Sequence, residues 1–122
     1  MGSIMHIVLI DKDLESRIIL ASSLKRHGYK VDEFTKYLDA SEALSKDSQY
    51  LFLIDPQTLD NNTYTNLGTF SKKFSTSSII IISNDDSSEA LERAFQHDVV
   101  YYIVKPFDLT HVITKIKETL NE

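Results

Sequence analysis

Short apolar runs alternate along this chain with stretches in which apolar residues recur every three or four positions. Met5-His6-Ile7-Val8-Leu9-Ile10 is the first run and ends at Asp11. Leu14, Ile18, Ala21 and Leu24 follow at helical spacing, with Asp13 placed to cap that helix and Gly28 placed to end it. Tyr29 to Phe34 reads as a second strand, polar enough to lie near a sheet edge, and a short helix is expected around Ala40 to Leu44. Tyr50-Leu51-Phe52-Leu53-Ile54 is apolar throughout, as a parallel strand buried on both faces must be. Tyr64, Leu67, Phe70 and Phe74 mark a third helix, and Ile79 to Ile82 a fourth strand. Ala90, Leu91, Ala94 and Phe95 mark a fourth helix, with Asp85, Asp86, Glu89 and Glu92 as its solvated, acidic first half, favoured by the helix dipole. Tyr101 to Val104 reads as a fifth strand. Leu109, Val112, Ile113, Ile116 and Leu120 mark a fifth helix capped by Asp108.

Five repeats of strand then helix predict an α/β fold: a parallel sheet with helices on both faces, since each right-handed crossover lays its helix on the sheet. Such sheets bind ligands outside the carboxyl ends of their strands. The residues there are Asp11-Lys12-Asp13, Asp55, Ser83 and Lys105-Pro106. Acids on one rim can hold a hard divalent cation through oxygen. A hydroxyl and an ammonium can donate to phosphoryl oxygens. Phosphoryl transfer to a carboxylate needs an in-line nucleophile and positive charge on the equatorial oxygens.

These positions resemble those of the response-regulator receiver domains of two-component signalling. Ile7 to Asp13 resembles the family's first strand and acidic cluster, and Leu53-Ile54-Asp55 its phosphoacceptor strand. Ile80-Ile81-Ile82-Ser83-Asn84 resembles the strand with the switch hydroxyl, and Tyr102-Ile103-Val104-Lys105-Pro106-Phe107 the switch aromatic and Lys-Pro-Phe signature. The resemblance covers nearly the whole chain and implies one receiver domain over 1–122, with a flavodoxin-like strand order 2-1-3-4-5. It implies that Asp55 accepts phosphate from a histidine kinase or phosphotransfer protein. Ser83 and Lys105 would contact the phosphoryl group, and Tyr102 would turn inward on activation. Asp11, Asp55 and the backbone carbonyl of Gln57 would be the metal ligands, with Mg2+ as cofactor. The Lys105-Pro106 bond would be cis. A homodimer through the fourth helix, fifth strand and fifth helix also follows from family behaviour.

Lys12 departs from the pattern, because the family has adjacent acids after the first strand. An ammonium has no lone pair for a metal. A unit charge about 4 Å away contributes roughly 4 kcal/mol at an effective dielectric of 20, enough to weaken Mg2+ binding by orders of magnitude. Lys12 is expected to pair with Asp55 and partly replace the cation, while Asp13 is expected to cap the first helix. After Asp55, the polar Asp60-Asn61-Asn62 must make the turn without glycine. Asp98 stands where a glycine commonly ends the fourth helix.

Composition narrows the classes. The 122 residues fit one domain, are 42% hydrophobic and 25% charged, and contain no cysteine, which excludes thiol catalysis and thiolate metal sites. A net charge of -5 argues against direct nucleic-acid binding. No membrane span or secretory signal is expected, which makes the cytoplasm the default location. Met1-Gly2-Ser3 opens a myristoylation pattern that His6 breaks. His6, His27, His97 and His111 are scattered and read as structural or surface residues. A nucleotide-binding flavodoxin-like enzyme would need a glycine-rich or Ser/Thr-rich phosphate loop after the first strand, and the chain has three glycines in all. The reading is thus of a regulatory phosphoacceptor, with no enzymatic activity beyond self-phosphorylation and self-dephosphorylation. The alternative is a phosphorylation-independent pseudo-receiver that serves as an interaction or dimerisation module.

Overall fold

A computed structural model describes residues 5–122; Met1-Gly2-Ser3 lies outside them. The elements run β1 (His6–Ile10), α1 (Leu14–Arg26), β2 (Lys30–Phe34), α2 (Tyr37–Ala43), β3 (Tyr50–Ile54), α3 (Thr63–Lys73), β4 (Ser78–Ser83), α4 (Ser88–Phe95), β5 (Val99–Val104) and α5 (Leu109–Leu120). A single 3-10 turn, Pro56–Leu59, follows β3. The five strands are parallel in the order β2-β1-β3-β4-β5, as the sequence predicts.

Alternation along the three inner strands builds two cores. Ile7, Leu9, Leu51, Leu53, Ile80 and Ile82 face α1 and α5, meeting Leu20, Leu24, Val112 and Ile116. Val8, Ile10, Phe52, Ile54, Ile79 and Ile81 point the other way, against Ala40, Leu67, Phe70, Phe74 and Ala94. Phe52 anchors the second core, with its ring centroid 4.8 Å from Phe70 and 5.1 Å from Phe74. Every residue of β3 is buried, whereas β2 at the edge has none buried.

Register fixes the rim. Ile10 lies opposite Ile54, so Asp11 and Asp55, each the next residue, end side by side. The Asp55 amide donates to Ile10 O at 2.9 Å. Ser83 lies opposite Val104, and the Lys105 amide donates to Ser83 O at 2.7 Å.

Asp13 and Asp108 cap α1 and α5 as the sequence predicts, and Ser87, which carried no such reading, caps α4; each accepts from a backbone amide of its helix's first turn. Gly28 takes φ 91°, and Asp60 and Asp98 take φ 61° and 63° where a glycine would be unstrained. The Lys105-Pro106 bond is cis.

Three sequence readings of the helices are corrected. Leu14 and Ile18 do not form the buried stripe of α1; they are 60% and 53% exposed. The buried side of α1 is Ser16, Leu20, Ala21, Ser23 and Leu24. Phe95 of α4 is likewise exposed, leaving Ala90 and Ala94 as its buried contacts. Asp85 and Asp86 precede α4 instead of forming its first turns. Asp85 Oδ1 accepts from the Ser87 amide, and that bond holds its carboxyl below the usual carboxylate range.

Candidate functional site

Three of the rim residues meet in one ion cluster. Lys105 Nζ donates to Asp11 Oδ2 at 2.8 Å and to Asp55 Oδ2 at 2.7 Å. All three side chains are at most 8% exposed. The remaining oxygen of each acid is also committed. Asp11 Oδ1 accepts from the Asp13 amide at 2.9 Å, and Asp55 Oδ1 accepts from the Gln57 amide at 2.9 Å. Asp55 thereby caps the 3-10 turn, whose buried Thr58 donates its hydroxyl back to Asp55 O at 2.7 Å. Arg17 of α1 donates to Asp11 O at 2.7 Å and pairs with Glu33 of β2 at 3.6 Å, tying the end of β1 to the sheet edge.

The electrostatics follow from sharing. Burial opposes the charged form of Lys105, yet its bonds to Asp11 and Asp55 outweigh burial and raise its pKa above the ordinary lysine value. Asp11 shares that one cation with a second acid. Burial therefore pushes its pKa up, against the lowering effect of its bond to Lys105.

Lys12 does not pair with Asp55. It is exposed, and among the described residues it makes no ion pair within 4.0 Å; Lys105 holds both acids instead. Lys12 lies at a bend after β1 with its side chain exposed, whereas Asp11 beside it is buried. Asp13 is committed to the helix, accepting from the Glu15 amide and from Ser16 Oγ.

Ser83 and Tyr102 occupy an adjoining corner. Ser83 is buried and its Oγ accepts from the Asp85 amide at 3.0 Å. The Tyr102 hydroxyl donates to Asp85 O at 2.5 Å, and its ring packs on the second core. Burial raises the Tyr102 pKa. Ser83, Tyr102, Gln57, Tyr64 and Asn84 line one hollow, while Asn84 and Lys105 line a second beside Phe107 and Ser16. Asn84 thus joins the two corners. Thr58 and Arg17 carried no signal in the sequence, since an isolated polar residue in a loop or on a helix has no pattern to mark it; Asn84 stood in the Ser83 motif without a role of its own.

The oxygens of this rim fit a divalent cation poorly. Asp11 and Asp55 are its two carboxylates, an ammonium already sits within hydrogen-bonding distance of both, and Lys12 stands where a further acid would complete the set. Among the described residues no group of three or more His, Cys, Asp or Glu is placed to hold a metal. What the cluster can do is hold an aspartate oxygen beside a buried ammonium, with a serine hydroxyl across the rim.

The profile of the response regulator receiver domain matches residues 7–117. The DNA-binding transcriptional regulator NtrC of Proteus hauseri is 23% identical over 115 residues, covering 94% of this chain and 24% of that protein. The chain therefore spans about a quarter of the length of that curated relative. Among solved structures, a two-component response regulator from Clostridium difficile superposes with a TM-score of 0.87 at 19% identity, covering 97% of each chain. A response regulator from Burkholderia pseudomallei with a phosphorylated aspartic acid superposes at 0.77 and 15% identity, covering 97% of this chain and 75% of that one. With the fold, the rim and a family match over most of its length, this chain belongs to the response regulator receiver domain family.

Proposed function

We propose that the chain, over 1–122, is one receiver unit of a two-component response regulator whose Asp55 accepts a phosphoryl group from a histidine kinase or phosphotransfer protein. The observation that carries this reading is the buried Lys105 bridge between Asp11 and Asp55. It holds an aspartate at the sheet rim oriented and next to the cation that the transferred phosphoryl oxygens require. In the step, an Asp55 carboxylate oxygen attacks phosphorus as the donor's bond to phosphorus breaks, and the donor leaves with that electron pair. Lys105 then exchanges its bond to Asp55 for the phosphoryl oxygens, and Ser83 donates its hydroxyl from across the rim. Tyr102 reports the change through its bond to Asp85 O, which links β5 to the loop before α4.

The output surface is the face of α4, β5 and α5, where Phe95 and Val100 stand exposed, and a second copy or a downstream partner docks there. Among the described residues no helix is long and apolar enough to cross a membrane, which supports a cytoplasmic setting. The domain itself binds no nucleic acid directly and is no enzyme beyond its own phosphorylation and dephosphorylation.

Incubation with acetyl phosphate or a cognate kinase, followed by intact mass, tests the reading. One labile phosphate that disappears in Asp55→Asn is expected; silence from every donor would leave the second reading. That second reading, a phosphorylation-independent docking module, draws on Lys12 and on the closed state of the Lys105 cluster.

A further inference from the structure

We propose that this receiver site works without a divalent cation, Lys105 filling the place of the cation at rest and Lys12 supplying its charge when the phosphoryl group arrives. The proposal rests on Asp55 being the phosphoacceptor and deepens that reading.

It begins with charge. Asp11 and Asp55 carry two formal negative charges, and Lys12 and Lys105 carry two positive ones, so these four residues balance as a set. An acid at position 12 would leave a net charge of −2, the deficit that one divalent cation makes good. Exchanging an acid for a lysine thus brings the same two units of charge in covalent form. Of the neighbouring charges, Asp13 is committed to α1, accepting from Ser16 and the Glu15 amide, and Arg17 is paired with Glu33.

Geometry agrees. All four carboxylate oxygens of Asp11 and Asp55 already accept hydrogen bonds, two of them from Lys105. A cation entering from water would have to displace that buried ammonium and would find no replacement ligand at Lys12. Lys12 has no ion partner among the described residues, so its ammonium is not already neutralised when a new negative charge appears. Conversion of Asp55 to its acyl phosphate adds about one negative charge. Lys105 turns to the phosphoryl oxygens, and Lys12, one residue along from Asp11, adds the remaining positive potential on the open side of the rim.

With acetyl phosphate as donor the step balances. An Asp55 oxygen forms the new bond to phosphorus, the bond from phosphorus to the acetate oxygen breaks, and acetate leaves with the electron pair. No proton or redox partner is needed.

The test compares wild type, Lys12→Asp and Lys12→Arg. Each is incubated with acetyl phosphate in EDTA or in Mg2+, with the adduct followed by intact mass. Each is also titrated with Mg2+ alone while backbone amide NMR signals near Asp11 and Asp55 are recorded, spectra that report folding as well. Wild type and Lys12→Arg should be phosphorylated at equal rates in EDTA and Mg2+. Their amides should stay unmoved at Mg2+ concentrations that saturate Lys12→Asp, whose phosphorylation should require Mg2+. Saturable Mg2+ shifts in wild type matching those of Lys12→Asp, or a wild-type adduct abolished by EDTA and restored by Mg2+, would overturn the proposal while leaving Asp55 as phosphoacceptor. Absence of any adduct, with wild type and from a kinase as well, would overturn both readings.

Discussion

The two corners of the sheet rim are built differently although they share Asn84 and stand on adjacent strand ends. The corner of Asp11, Asp55 and Lys105 is closed: three buried charges satisfy one another, and every carboxylate oxygen has a donor. The corner of Ser83 and Tyr102 is open: their neutral hydroxyls line a hollow and bond to the backbone of Asp85. Buried charges are costly to separate and neutral hydrogen bonds are cheap to exchange. The closed corner therefore sets the resting state, and the open corner is where a change at Asp55 can be passed on at low cost.

The sharpest way to break this contrast is to remove the shared cation. Lys105→Met leaves Asp11 and Asp55 buried without a counter-charge, and loss of one partner of such a cluster costs about 3–5 kcal/mol. Urea melts at neutral pH should show a loss of that size. A second measurement uses pH. Because the folded-state pKa of Lys105 is raised, its contribution is fully present below the ordinary lysine value of 10.5 and is lost as pH rises through the folded value. The stability gap between wild type and Lys105→Met should therefore narrow above pH 10.5. The Tyr29 hydroxyl, with its pKa pushed up to about 12 by burial and by its bond to Glu122, also titrates in this alkaline range, but in both proteins alike.

At the open corner the expected effects are smaller. Tyr102→Phe deletes one hydrogen bond to Asp85 O and should cost about 1 kcal/mol in the same melts. A loss as large as that of Lys105→Met would erase the contrast between the corners. Asp60 probes the loop that leaves the closed corner. Its φ of 61° and ψ of -159° lie in a region natural only to glycine. Asp60→Gly should raise stability by about 1 kcal/mol in urea melts, the relief of that strain being partly offset by glycine's extra freedom in the unfolded chain.

Much of this was legible in the sequence, for definite reasons. Tyr50 to Ile54 announces itself because a strand covered on both faces has no polar position to spare, and its bounds are those of β3. Asp11, Asp55, Ser83 and Lys105 could be placed on one rim because a parallel sheet gathers strand ends together. The partner of Asp55 could not be read. Lys12 and Lys105 both follow strands that end on the same rim, both lie far from Asp55 along the chain, and only the folded arrangement of their side chains decides between them. The buried face of α1 was misjudged for a related reason: two of its buried residues, Ser16 and Ser23, are polar, which a hydrophobic pattern does not register.

The central claim is that Asp55 is the residue modified. Borohydride trapping after phosphorylation, which reduces an aspartyl phosphate to homoserine, followed by peptide mass mapping, addresses it directly. Homoserine at position 55 alone, lost in Asp55→Asn, is the predicted result. Homoserine at another acid, or none after treatment with a donor that phosphorylates the protein, would contradict it.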